Sequence, residues 1–284
     1  MKIFKDIHEM QTLAEETRRS GKKIALVPTM GALHEGHLSL MDYGREKADL
    51  LVVSIFVNPI QFGPKEDFGK YPRDLQSDSQ LTGKRGVDII FSPEAKAFYP
   101  EFFQTYVTVD QVTQQLCGAF RPGHFRGVTT VVCKLFHIVK PHLAIFGQKD
   151  FQQVMVIQQM AQDLNLDVEV VGRPTVREAD GLAMSSRNRY LTVEERVSAR
   201  SLSLALKEAR TLFRKGERKT EVLLDRVVGL IGRQPKTRIE YAKICHPRTL
   251  EELTVVTDKG VLALAVWIGS TRLIDNCLLE ENEQ

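Results

Sequence analysis

Residues 49–57 read DLLVVSIFV, a continuous apolar run rich in β-branched side chains. A strand that is hydrophobic along its whole length is typical of a parallel sheet covered by helices on both faces. Such runs alternate with helical patterns over the first ~175 residues, which predicts a Rossmann-like α/β domain. The other strand-like runs cover 23–29, 87–93, 142–147 and 167–176. The helical patterns cover 37–48, 71–86, 127–140 and 149–165.

The composition changes at residues 177–192, READGLAMSSRNRYLT, which are polar and turn-rich and indicate a boundary between two lobes. Thr192 and Glu195 then form a T-x-x-E capping box, which predicts a helix continuing to about Lys215. A further helical pattern, TEVLLDRVVGLIGRQ, precedes two strand-like runs, IEYAKICH and VLALAVWIG. We therefore predict a Rossmann-like parallel sheet domain at 1–176 and a smaller α+β C-terminal domain at 177–284.

Charge and hydropathy exclude several classes of function. The 39 basic and 36 acidic residues leave a formal net charge of +3, too even a balance to indicate nucleic acid as a partner. The longest apolar run, residues 261–269, is far shorter than the ~20 residues of a membrane helix. The N-terminus lacks a secretory apolar stretch, and the four cysteines form no C-x-x-C pair. We expect a cytoplasmic protein with reduced cysteines and no membrane partner.

The common nucleotide-binding signatures are absent from this sequence. No G-x-G-x-x-G follows a strand-like run. Residues 63–71, GPKEDFGKY, fail as a P-loop, because five residues separate the glycines and Tyr71 follows the lysine. A nucleotide would therefore have to be bound by another device.

Residues 28–41, PTMGALHEGHLSLM, provide a candidate for that device. His34 and His37 stand three residues apart, with Gly31 and Gly36 beside them, where a predicted strand meets a predicted helix that His37 opens. Helix N-termini bind anions, glycine lets phosphate approach the backbone, and imidazoles donate to phosphate oxygens. The alternative is a surface or metal-binding pair, although metal sites favour H-x-x-x-H with a nearby acid or cysteine.

The H-x-G-H sequence after a first strand resembles the signature of nucleotidyltransferases with Rossmann-like domains, which include class I aminoacyl-tRNA synthetases. Those proteins carry a second basic loop late in the fold. Residues 183–188, AMSSRN, resemble that loop, with Arg187 as the charge that meets phosphate. The two segments together are more specific than either one alone.

Five motifs in order resemble the pantothenate synthetase family, the pantoate–β-alanine ligases. They are PTMGALHEGHLSL, SIFVNPIQFGPKEDFGKYPR, RPGHFRGVTTVVCKLF, FGQKDFQQ and MSSRNRYL, and the resemblance runs from about residue 3 to 283. It implies a two-step reaction. ATP and (R)-pantoate give pantoyl adenylate and pyrophosphate, and β-alanine then converts the adenylate into pantothenate and AMP. The implied cofactors are ATP, as a substrate, and Mg²⁺, and the implied assembly is a homodimer.

The resemblance also implies roles for individual residues. His37 is the implied proton donor and His34 a second phosphate contact, and both suit electrostatic stabilisation of the transition state at the α-phosphate. Lys149 is a point charge for phosphate, whereas Asp150 suits either the ribose or Mg²⁺. The implied ATP-binding residues are Met30, Gly31, Ala32, Leu33, His34, Glu35, Gly36, His37, Gly147, Gln148, Lys149, Asp150, Val176, Met184, Ser185, Ser186 and Arg187.

Two glutamines are the implied ligands of the organic acid. Gln61 is assigned to both pantoate and β-alanine, and Gln153 to pantoate. A glutamine amide donates and accepts at once, so it can orient the hydroxyls of pantoate without adding charge.

Several assignments stay open on the sequence alone. Val176 suits either a backbone contact to adenine or ordinary core packing. Arg121, His124 and Arg126 either line the entrance of the site or anchor a loop. Asp74 and Asp78 can place a metal or the amine, although we expect them to be solvated on a helix surface.

Two other functions compete with this interpretation. A different adenylyltransferase with H-x-G-H would lack the glutamines of NPIQFG and KDFQQ. A non-catalytic RNA-binding module is disfavoured by the even charge balance and by the lack of an aromatic–basic stripe. Its basic residues would be Arg187, Arg189, Arg214 and Arg218.

Overall fold

The structure is a computed structural model that describes residues 1–64 and 66–281 of the chain. Its N-terminal lobe contains a six-stranded sheet in which every strand pair is parallel. The strands are β1 (Lys2–Phe4), β2 (Ile24–Thr29), β3 (Leu50–Ile55), β4 (Ile89–Phe91), β5 (Leu143–Gly147) and β6 (Glu169–Arg173). Their spatial order is β1-β4-β3-β2-β5-β6. The predicted Rossmann-like parallel sheet is confirmed.

The helices of this lobe cover both faces of the sheet. They are α1 (Ile7–Arg19), α2 (Glu35–Lys47), α3 (Leu75–Gly83), α4 (Ala95–Phe98), α5 (Cys117–Phe120), α6 (His124–Val139) and α7 (Phe151–Asp163). The helix predicted at 127–140 is therefore present as α6. The prediction that His37 opens a helix was wrong, because α2 begins at Glu35 with extended His34 as its N-cap. Helix α7 begins after a 3₁₀ turn at Gln148–Asp150.

The chain reverses its direction of travel across the sheet between β2 and β5. From β2 it runs to β3 on one side, whereas β5 pairs with the other side of β2. Ligands bind at such a switch point in open α/β sheets, outside the carboxyl ends of the strands. The H-x-G-H turn follows β2 and the GQKD segment follows β5, so the topology brings both to this point.

The C-terminal lobe is an antiparallel three-stranded sheet covered by two helices. Its elements are α8 (Val193–Arg214), α9 (Thr220–Gly232), β7 (Thr237–Cys245), β8 (Gly260–Ile268) and β9 (Thr271–Leu279). The capping box of Thr192 and Glu195 is formed at the start of α8. The predicted small α+β lobe is confirmed, whereas the boundary at residue 176/177 stays a prediction.

Strand β8 is apolar throughout because both of its faces are buried. Val261, Ala263 and Ala265 pack into the core of the N-terminal lobe. Leu262 and Leu264 point the other way, into the core formed with α8 and α9. The second sheet thus joins the two lobes through one of its faces.

All four cysteines are free thiols, and Cys117 and Cys245 are buried. Within residues 1–64 and 66–281, no helix has both the length and the apolar character needed to span a bilayer.

Candidate active site

A cavity of about 210 Å³ lies at the carboxyl ends of β2 and β5. It brings together most of the predicted site residues, and the C-terminal segment 184–187 closes one side. The predicted residues that line it are Met30, His34, Gly36, His37, Gln61, Gly147, Lys149, Asp150, Gln153, Val176, Met184, Ser185, Ser186 and Arg187. A larger cleft of about 1030 Å³ lies between the lobes. The residues that line both the cleft and this cavity are Gln61, Lys149, Asp150, Gln153, Ser185 and Arg187. The smaller cavity is the candidate active site, because it contains the histidines.

Five predicted residues lie outside the cavity wall. Gly31, Ala32 and Leu33 are buried behind it. Glu35 is exposed, and its carboxylate pairs with Arg85 at 2.9 Å. The fifth is Gln148, whose carbonyl oxygen accepts a hydrogen bond from the side chain of Asn276 on β9.

The two histidines of the H-x-G-H turn stack on each other at the start of α2. Their ring centroids lie 4.1 Å apart, with an interplanar angle of 29°. Gly36 makes this possible, because a Cβ there would lie 2.9 Å from Cε1 of His34. The Nδ1 atoms of His34 and His37 are buried and have no hydrogen-bond partner within the described residues. The glycine between the histidines therefore lets one imidazole fold over the first helical turn.

Both imidazoles are neutral at neutral pH. Burial lowers the pKa of His34 to about 4, and the positive charge of Lys149 acts in the same direction. Burial also holds the pKa of His37 well below its usual value, with further contributions from His34 and Lys149. Each ring then carries one N–H that can donate to a phosphate oxygen. A bound polyphosphate would raise both pKa values, since an anion favours the protonated form.

The turn between β2 and α2 is held by a carboxylate from α3. The Oδ2 atom of Asp78 accepts the Ala32 N–H at 3.0 Å, and Oδ1 accepts the Leu33 N–H at 2.9 Å. Asp78 is only 3% exposed, so the expectation that it is solvated on a helix surface was wrong. Asp74 is exposed as expected, and it caps α3 through the N–H of Ser77. Ala32 and Leu33 were predicted to bind ATP, but their backbone amides already have an internal acceptor.

Gln61 is oriented by residues that the sequence did not single out. The side chain of Asn58 donates to Gln61 Oε1 at 2.9 Å and to the Gly127 carbonyl at 3.1 Å. Tyr99 donates to Asn58 Oδ1 at 2.8 Å. Gln61 Nε2 contacts the sulfur of Met30 at 3.2 Å, a weak acceptor that a substrate oxygen can replace. Asn58 lies inside the NPIQFG motif, but nothing in the sequence pointed to Tyr99.

Gln153 lines the cavity, whereas the neighbouring Gln152 has a structural role. Gln153 lines the cavity, as the resemblance implied. Gln152 is buried, and its side chain holds residues 112–117 by accepting from the Cys117 N–H and donating to two carbonyls. Of the pair in KDFQQ, only Gln153 is therefore available to a ligand in the cavity.

Arg121 and His124 both line the cleft and anchor a loop. Arg121 makes two contacts of 2.6 Å with the carboxylate of Glu66 and donates to Nε2 of His124 at 3.0 Å. Burial and the charge of Arg121 lower the pKa of His124 to about 4, so the neutral ring carries its proton on Nδ1. That N–H donates to the Gln61 carbonyl at 2.9 Å. Arg126 instead stacks on the ring of Tyr106, 3.8 Å from its centroid.

The predicted phosphate-binding arginine is held by a carboxylate of the N-terminal lobe that lines the larger cleft. Arg187 donates from Nε to Asp67 Oδ2 at 3.1 Å and from Nη2 to Oδ1 at 3.0 Å. The neighbouring Ser186 hydroxyl lies 3.5 Å from that of Tyr71. The segment 184–187 thus already reaches the N-terminal lobe.

The donor groups of the cavity suit a Mg²⁺ ion that arrives on a nucleotide. Among residues 1–64 and 66–281, no group of three or more His, Cys, Asp and Glu side chains is arranged to hold a metal. Asp150 is the carboxylate in the cavity wall, and its Oδ2 lies 3.8 Å from Nζ of Lys149. Mg²⁺ commonly takes one or two carboxylates together with substrate phosphates and waters. Asp150 is suited to be such a carboxylate ligand.

Comparison with known proteins shows which family this chain is similar to. The family profile described as pantoate-beta-alanine ligase matches residues 2–278. The pantothenate synthetase of Geotalea uraniireducens is 57% identical, over 99% of this chain and 100% of its own length. The pantothenate synthetase structure from Thermus thermophilus has a TM-score of 0.93 at 42% identity, covering 99% of this chain and 100% of that one. The pantoate-beta-alanine ligase structure from Francisella tularensis, complexed with beta-gamma ATP and beta-alanine, has a TM-score of 0.80 at 33% identity, covering 98% of both chains.

Proposed function

This chain belongs to the pantoate–β-alanine ligase family, and from that premise we propose how its residues carry out the reaction. It is an ATP-dependent ligase that condenses (R)-pantoate with β-alanine and releases AMP and pyrophosphate. The observation that carries the assignment of roles is one cavity that holds neutral imidazoles, two cations and two glutamine amides together.

In the first step, a carboxylate oxygen of pantoate attacks the α-phosphorus of ATP, and the bond to pyrophosphate breaks. Negative charge grows on the phosphate oxygens as this happens. The N–H groups of His34 and His37 donate to those oxygens, and Lys149 and Arg187 attract the departing pyrophosphate. Preorganised donors in a partly buried cavity stabilise the transition state because they need little rearrangement.

Pantoate is held by the glutamines while it attacks. Because Asn58 occupies Oε1 of Gln61, the amide presents its Nε2 donor to the cavity. That donor can bind a carboxylate or hydroxyl oxygen of pantoate in place of the Met30 sulfur. Gln153 contacts the same ligand from α7. The glutamines thereby fix pantoate in one orientation. Because they are uncharged, they do not compete with Lys149 and Arg187 for the phosphates of ATP.

In the second step, the amine of β-alanine attacks the acyl carbon of pantoyl adenylate. The C–O bond to AMP breaks, the amine loses a proton, and the amide bond of pantothenate forms. The shared position of Gln61, in both the cavity and the larger cleft, supports its contact with β-alanine as well. The cleft provides the route by which the amine enters.

The finer features of the enzyme rest on the family resemblance. We propose Mg²⁺ on the phosphates of ATP, held in part by Asp150, where it would neutralise phosphate charge. We also propose a homodimer, a cytoplasmic location, and a boundary between the lobes at residue 176/177. Sedimentation in solution tests the dimer, since a monomer at micromolar concentration would contradict it.

An AMP-forming assay with one substrate left out at a time tests the function. We expect AMP only when ATP, pantoate and β-alanine are all present. ATP with pantoate should give one equivalent of pyrophosphate per active site, because the adenylate stays bound. Pyrophosphate release triggered by a nucleotide or by phosphopantetheine, and not by pantoate, would instead indicate a different adenylyltransferase.

A further inference from the structure

The carboxylate of Asp78 fills an anion-binding concavity inside the turn between β2 and α2. Gly31 and Ala32 both have left-handed backbone conformations, with φ of 82° and 51°. Turns of this kind direct successive N–H groups to one side and so form a site for an anion. Here the two oxygens of Asp78 each accept one of those N–H groups, from Ala32 and Leu33.

The fit between the turn and the carboxylate is close. A Cβ on Gly31 would lie 2.8 Å from Oδ2 of Asp78 and 3.2 Å from Cγ2 of Ile55. The turn therefore has no room for a side chain at Gly31 while the carboxylate is in place. The charged side chains whose fields act on Asp78 are Asp74, which opposes its ionisation, and Arg189, which favours it.

We propose that Asp78 is a positioning residue, which locks the turn in the form that presents His34 and His37 to ATP and keeps phosphate out of the concavity. The inference rests on the proposed function, and it assigns a role in that reaction to a residue of α3. Without the carboxylate, the Ala32 and Leu33 amides would compete with the imidazoles for phosphate oxygens. The α-phosphate would then be displaced toward the backbone, away from the glutamines that orient pantoate.

Asp78→Asn is the variant that tests this role. Asparagine keeps the volume, but its Nδ2 group would face one of the two N–H donors, so one hydrogen bond becomes a repulsion. Asp74→Asn is the matched control on the same helix, because Asp74 is exposed and asparagine can still cap α3. The measurement is single-turnover formation of pyrophosphate from ATP and pantoate, in which the amplitude reports active sites and the rate constant reports positioning.

We expect the rate constant of Asp78→Asn to fall about 100-fold, the size of effect that a misplacement of about 1 Å can produce. The pantoate KM should change less than about 2-fold, and Asp74→Asn should match the wild type. Should Asp78→Asn fail to fold, Gly31→Ala disturbs the same contact from the other side and should lower the same rate constant.

Two results separate failure of this inference from failure of the proposed function. A reduced amplitude with an unchanged rate constant in Asp78→Asn would mean that Asp78 only stabilises the fold, and would overturn the positioning role. An absence of pantoate-dependent pyrophosphate in the wild-type enzyme would overturn the function itself.

Discussion

The two segments of the cavity that we propose to bind phosphate differ in charge. The turn at residues 30–37 presents neutral imidazoles, and an internal carboxylate satisfies the two amides behind them. The segment at 184–187 presents a guanidinium, which pairs with Asp67 of the N-terminal lobe. The first segment belongs to the N-terminal lobe, and the second is supplied by the chain that leads into α8.

The difference follows from the cost of burying charge. A neutral imidazole can lie partly buried in the cavity wall without a counter-ion. It therefore does not have to break an ion pair before it binds ATP. A half-buried guanidinium needs an anion nearby, and Asp67 provides one. We propose that phosphate replaces Asp67 when ATP binds. We therefore expect the imidazoles to govern the rate of adenylate formation and Arg187 to govern the affinity for ATP.

The strongest test of this contrast is His37→Ala. We expect adenylate formation to slow by about 10²–10³-fold, the effect of removing one donor from a preorganised anion site. His137→Ala is the control, because His137 is exposed on α6. Pyrophosphate release at the wild-type rate in His37→Ala would remove the imidazole from the mechanism.

Gln61, the proposed pantoate ligand, is also uncharged, and Gln61→Ala tests its contribution to binding. We expect the pantoate KM to rise about 5-fold, as for the loss of one neutral hydrogen bond of roughly 1 kcal/mol. The KM for ATP should change little. Steady-state kinetics with each substrate varied in turn gives both constants, and an unchanged pantoate KM would exclude the assigned contact.

Asp67→Asn tests the charged segment, and its effect should have the opposite sign. Because the variant releases Arg187 from a competing carboxylate, the KM for ATP should fall, by about 3-fold if the exchange costs roughly 0.7 kcal/mol. Arg187→Gln should raise the same constant. If Asp67→Asn also raised it, then Asp67 would support ATP binding and would not compete with it.

The smallest expected effect concerns stability and pH. The folded-state pKa of His34 is about 4, below the 6.5 of an unperturbed histidine, so the unfolded chain binds more protons between these values. The free energy of unfolding should therefore decrease as the pH falls from about 6.5 toward 4, by up to about 1.4 kcal/mol per unit of pKa shift. Urea unfolding at several pH values measures this.

In the same measurement, His34→Gln should have a weaker dependence on pH than the wild type. Some dependence should remain, because burial also lowers the pKa values of His37 and His124. An identical slope in the variant would contradict the assignment of a depressed pKa to His34.

Elements with a strong local pattern were predictable from the sequence. The run at 49–57 became a buried parallel strand, and the capping box of Thr192 and Glu195 formed at the start of α8. Strand β9 was missed, because Asp275 interrupts its apolar pattern. That aspartate is 2% exposed and pairs with Arg177, a partner 98 residues away. Strand β1, with three residues, is too short to show a period.

The sequence by itself determined the strand and helix periods, the position of H-x-G-H between them, and the family. Only the tertiary structure decided which partner binds each charged side chain in and around the site. Asp78 reaches the turn from 46 residues away, and Asp67 meets Arg187 across 120. Local patterns determine where helices and strands form, because backbone hydrogen bonds in turns and the spacing of apolar residues involve only a few neighbouring residues. The partner of such a carboxylate depends instead on which segments, far apart in sequence, the fold packs together.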